Sequence, residues 1–214
     1  FVPAGYVFAI WGLIYIGLLG YAVYQALPSQ ADNPRLQSIG GLFILSSLAN
    51  IVWLFLWHYL QFLLTWIAML VLLFSLIAIY LRLRRTSETV SAAERWLVRV
   101  PFSIYLGWIS VATIANITQV LYYIEWGGWG LSDVAWAIVM LVVGVVLAGI
   151  VTFTERDPAY VLVFVWAYAG IGVAQAEESY VAMTAWGGTA MLALLAFLAF
   201  ILRLRRSTKK PVVP

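Results

Sequence analysis

Residues 8–27, "FAIWGLIYIGLLGYAVYQAL", run for twenty positions without one charged side chain, and runs of this kind recur along the whole chain. A helix needs about 20 apolar residues to cross roughly 30 Å of hydrocarbon. Inside that layer the backbone must satisfy its own hydrogen bonds, which leaves helices or closed barrels. The runs here are too long and too continuous for barrel strands. Divided at polar, Gly and Pro punctuation, they predict about seven helices, at roughly 4–27, 38–58, 61–82, 98–124, 133–153, 159–176 and 180–203. The expected fold is all-α, a polytopic transmembrane bundle of about seven helices.

Local signals support the divisions. "LPSQADNP" breaks the chain after the first run and "EWGGWGLSD" after the fourth, and in "TERDPAY" Asp157 stands at a cap position with Pro158 at the first helical position. The join near His58 carries the weakest signal. Ser91 and Glu94 have the spacing of a capping box, so a short surface helix should begin there, and Pro101 predicts a kink early in the fourth run.

Charge fixes orientation rather than partner. Only 10% of residues are charged and 64% are hydrophobic, against roughly a quarter charged in soluble domains. The net charge of +3 does not point to nucleic acid, because the basic residues gather beside apolar runs. Arg82, Arg84, Arg85, Arg95 and Arg99 form one cluster, and Arg203, Arg205, Arg206, Lys209 and Lys210 the other. By the positive-inside rule both are cytoplasmic, which places the C-terminus in the cytoplasm. A bacterial inner membrane is the expected location. Trp126 and Trp129 belong at headgroup level in the acidic 122–133 loop. The chain begins at Phe1 rather than Met, which we read as a start inside a longer protein.

Catalytic motifs are missing. There is no HExxH, no phosphate-binding Gly loop and no Ser/His/Asp set, cysteine is absent, and His58 is the one histidine. The apolar cores carry essentially no charge, which speaks against an ion-coupled pump. A retinal Schiff base needs a lysine in the last helix, and the lysines lie only in the tail. No catalytic residue, no metal ligand and no enzyme activity is therefore assigned. What stands out is aromatic and amide patterning at helical spacing: Trp11, Tyr15 and Leu18 on the first helix, Asn50, Trp53 and Trp57 on the second, and Trp108, Ala112 and Asn116 on the fourth. Such faces can pack helices or line an apolar pocket.

Their order resembles the TspO/translocator protein family, the tryptophan-rich sensory proteins. The carrying residues are Pro3, Trp11 and Tyr15 with "WGLIY", Asn50 and Trp53 in "ANIVW", and Tyr105, Trp108, Ala112, Thr113 and Asn116 in "YLGWISVATIAN". Ile104 stands where the family usually has Pro, and Ser46 where Gln is common. The likeness covers residues 3–116. It implies a five-helix unit lacking its first helix, over 1–125, followed by a three-helix extension, 133–206, and a cytoplasmic basic tail, 207–214.

The resemblance also implies a ligand: a flat hydrophobic molecule, a tetrapyrrole such as protoporphyrin or a sterol or other lipid, held by Trp11, Tyr15, Asn50, Trp53, Trp108, Ala112 and Asn116. Stacking aromatics, the gap beside Ala112 and the amide of Asn50 suit a macrocycle with a polar edge. No cofactor is required, a bound porphyrin is compatible, and the role is that of sensor, carrier or scavenger, with light-driven porphyrin breakdown left open. The alternative is a structural subunit of a larger, pigment-containing membrane complex, or a homodimer, docking through small-residue stretches such as "AWGGTAMLALLA".

Overall fold

Helix ends follow from caps that the sequence carries. In the computed structural model, which describes residues 2–85 and 90–208, every regular element is helical. Two compact units emerge: Phe8–Trp126, and Phe1–Val7 together with Gly127–Pro214.

In the unit Phe8–Trp126, a 3-10 turn, Gly5–Ala9, leads into α1, Ile10–Gln25. Helix α2, Pro34–His58, starts earlier than its apolar run because the Asn33 side chain accepts from the Arg35 amide (3.1 Å) and Pro34 occupies the first turn. The chain then reverses within three residues into α3, Phe62–Arg84. Leu60 takes a left-handed φ of 57° and the Gln61 amide donates back to the Leu56 carbonyl at 2.8 Å, the bond of a Schellman ending. After three residues of α4, Ala92–Glu94, and a π turn, Arg95–Arg99, comes α5, Val100–Tyr123. It ends in the same way, with Glu125 at φ 51° and the Trp126 amide on the Leu121 carbonyl (3.0 Å).

The expected irregularity at Pro101 lies in the turn before it. Proline has no N–H to give to the carbonyl four residues back, and the preceding turn opens to π geometry. The ring fits against Gly17, where a Cβ would come within 2.9 Å of the Pro101 Cβ. Helix α5 is the buried centre of the unit: Tyr105, Leu106, Trp108, Ile109 and Val111, which point in all directions around it, are all buried. It packs on α1 and α3, and α3 packs on α2. Only a narrow seam of α2, running through Leu36, Ile39, Ser46 and Asn50 at spacings of three, seven and four, is buried, while Ile44, Leu48, Ile51 and Phe55 are exposed.

The other unit holds α6, Asp133–Thr154, α7, Pro158–Ala174, and α8, Ser179–Thr208. Asp157 caps α7 as expected, accepting from the Ala159 amide (3.1 Å), and Ser132 caps α6, accepting from the Ala135 amide (3.2 Å). Six helices among the described residues are long and apolar enough to cross a membrane. Helix α7 is apolar but has only 17 residues, about 26 Å at 1.5 Å per residue, so one of the seven expected spans falls short of that length. It is nevertheless the core of its unit, with Val161, Phe164, Ala167 and Ile171 fully buried.

Glycines let large rings into this core. The Tyr168 hydroxyl donates to the Leu141 carbonyl at 2.6 Å, passes over Gly144 and lays its ring against Gly188, where a Cβ would meet ring carbon at 2.8 Å. Part of the small-residue stretch "AWGGTAMLALLA" thus serves contacts inside the unit. Residues 2–7 join these later helices: the Ala4 amide donates to the Gly170 carbonyl (3.1 Å), the Trp166 indole donates to the Val7 carbonyl (3.0 Å), and Tyr6 meets Trp166 edge to face at 5.4 Å. Pro3, one of the residues that carry the family resemblance, is buried here beside Gly170. Lys209 and Lys210 and the rest of 209–214, assigned to the basic tail, lie outside the described residues.

Candidate functional site

Helices α1 and α5 bring one group of the expected site residues together. Trp11 stacks on Tyr15 (5.4 Å between centroids, 24° between planes) and meets Trp108 edge to face at 6.3 Å. Two rings join them: Tyr105, 5.9 Å from Trp11, and Phe8, 5.6 Å from Trp108. The burial differs along α1, however. Ile10, Ile14 and Tyr21 form its buried seam, Trp11 lies at the edge, and Tyr15 is half exposed. Trp108 is the enclosed member, at 3% exposure, and its indole nitrogen is buried with no hydrogen-bond partner.

A second group lies along α2. Asn50 is buried and Trp53 half-buried, and Trp53 packs against Trp57 at 5.4 Å. Trp57 continues to Phe62 of α3 at 5.3 Å and Phe62 to Tyr123 of α5 at 5.1 Å. The Asn50 side-chain oxygen and the Trp53 indole nitrogen are also buried and unpartnered. Leaving such a group without a hydrogen bond costs about 1–3 kcal/mol each. Three of the seven expected site residues therefore carry unmet polar atoms, two indole donors and one amide acceptor.

The remaining two behave differently. Ala112, one turn beyond Trp108, is half-buried. Asn116 is committed to its neighbour: its amide donates to the Thr65 hydroxyl at 3.0 Å, which ties α5 to α3 inside the apolar layer. Thr65, Phe8 and Tyr105 are additions to the expected site residues. Matching the few polar side chains within the apolar runs would have flagged Thr65 as a partner for Asn116, and Phe8 lies three residues before Trp11, on one helix face.

Chemically the set offers rings, indole N–H donors and an amide oxygen. Among the described residues no group of three or more His, Asp or Glu side chains is placed to hold a metal ion. Groups of these kinds can stack on an apolar body and hydrogen-bond a polar edge. No curated protein and no solved structure matches this chain. The family model described as TSPO-like protein matches residues 1–198, well beyond the 3–116 stretch of the sequence likeness and through α6, α7 and most of α8. Matched over nearly its whole length, this integral membrane chain belongs to the TSPO-like protein family.

Proposed function

We propose that the protein binds a flat hydrophobic ligand with a polar edge, a tetrapyrrole or a lipid of similar shape, within the unit Phe8–Trp126, acting as sensor, carrier or scavenger. The observation that carries this reading is the set of orphaned polar atoms on Asn50, Trp53 and Trp108, three of the residues carried over from the family likeness. A bound ligand would supply the partners that the protein does not. Asn50 would accept from a pyrrole N–H or hydroxyl, and the Trp53 and Trp108 indoles would donate to a carboxylate or carbonyl. Trp11 and Tyr15 would supply stacking surface.

Titrating the purified protein with protoporphyrin should give saturable quenching of Trp fluorescence. Trp108→Phe keeps a ring and deletes the indole N–H, so it should weaken binding by about fivefold, the worth of one neutral hydrogen bond. Ala112→Phe should weaken it further by filling the space beside Trp108. Superimposable titrations for the parent and both variants would remove the pocket assignment.

A further inference from the structure

Among the described residues, one buried carboxylate at one end of the unit Phe8–Trp126 stands between two guanidinium groups. Glu94 is buried, and both its oxygens accept from Arg35, at 3.0 Å from Nε and 2.7 Å from Nη2. That pair is complete by itself. Arg99 stands further off, with Nε 3.9 Å from the nearer Glu94 oxygen, and its Nε and Nη2 are buried with no hydrogen-bond partner. Among the described residues, Glu94 is the opposite charge acting on Arg99, against the like charges of Arg84, Arg35 and Arg95. One carboxylate thus serves two guanidinium groups, and the second is left with unmet donors. A buried cation in this state calls for an anion.

Another orphaned donor belongs to α1, which packs against this turn. The Tyr21 hydroxyl is buried and unpartnered, and its ring touches Phe102, 5.0 Å away and three residues beyond Arg99 on the same face of the helix. Next to Arg99 the turn exposes Trp96 and Leu97, apolar surface at the end of a membrane-spanning run.

We propose that Arg99, with Tyr21 as second donor, binds a phosphoryl oxyanion, carried by the headgroup of an anionic phospholipid or by free phosphate. A guanidinium presents two parallel N–H groups to two phosphoryl oxygens, and basic pockets between membrane helices take such headgroups. The exposed Trp96 and Leu97 favour a lipid source, since acyl chains would lie against them. This site is separate from the one proposed above and stands or falls without it.

The test uses the full chain in nonionic micelles doped with phosphatidylglycerol or phosphatidylcholine, reading lipid retained after gel filtration and the melting temperature. Phosphatidylglycerol should be retained and raise the melting temperature, while phosphatidylcholine should do neither. Arg99→Gln leaves the Arg35–Glu94 pair whole, so the protein should fold and bind phosphatidylglycerol about tenfold more weakly. Tyr21→Phe keeps the ring packing and should show a smaller loss. If millimolar inorganic phosphate stabilises the parent in lipid-free micelles and not Arg99→Gln, the oxyanion is free phosphate. A parent that treats both lipids alike and ignores phosphate, or a folded Arg99→Gln that binds phosphatidylglycerol as the parent does, would overturn the assignment.

Discussion

Glu94→Gln should destabilise the protein by about 3 kcal/mol, among the largest effects open to a single conservative change. The substitution keeps the volume of the side chain and the Ser91 cap, which accepts from the residue 94 amide at 3.0 Å. What disappears is the carboxylate that pairs with Arg35 and lies 3.9 Å from Arg99, and removing one partner of a buried pair strands the other in a poorly hydrated setting. Ser91→Ala separates the two roles of this turn: losing the cap alone should cost about 1 kcal/mol. Melting curves of the two variants in one detergent make the comparison. Equal shifts for both would mean that the ion pair adds nothing beyond the cap.

The second large effect is expected at Gly144. A Cβ there would overlap the Tyr168 hydroxyl, which is fixed by its bond to the Leu141 carbonyl. The ring has no room to retreat, because Gly188 is already in contact on its other side and Tyr168 is fully buried. Gly144→Ala should therefore cost about 2–3 kcal/mol through overpacking. Tyr168→Phe, which deletes only the hydroxyl, should cost about 1 kcal/mol. Combined, the two changes should be less damaging than Gly144→Ala alone, because the overlapping oxygen has gone. Additive losses in the double variant would show that Gly144 matters for some reason other than the Tyr168 hydroxyl.

Much of the helical layout was legible because its punctuation is chemical and local. Asp157 before Pro158 and Ser91 three residues before Glu94 both act as caps where their spacing placed them. The start of α2 was read late, since apolarity was followed in place of the Asn33–Pro34 signal. Inward faces were harder to read. On α1 the stripe Trp11–Tyr15–Leu18 and the stripe Ile10–Ile14–Tyr21 are both apolar, and only packing shows that the second is the buried one. A lipid-facing surface is as apolar as a core, so periodicity loses the contrast it has in water. Long-range pairings left no local trace: Glu94 was read as half of a capping box, yet its carboxylate goes to Arg35, and Asn116 finds Thr65. In the candidate site, Trp11, Tyr15 and Trp108 meet as one aromatic set, whereas Asn50 and Trp53 stand out by their unmet polar atoms.

The docking of residues 2–7 on α7 sets an order of events during synthesis. Ala4 and Val7 are held by Gly170 and Trp166, which leave the ribosome some 160 residues later. At about 5–20 residues per second, that is a wait of roughly ten to thirty seconds. Through that interval Ala4 and Val7 lack these partners on α7. Seating this segment therefore waits until α7 has been made. A ribosome stalled before residue 166 would hold a nascent chain whose first turn is still accessible to protease, and release past residue 174 should close it.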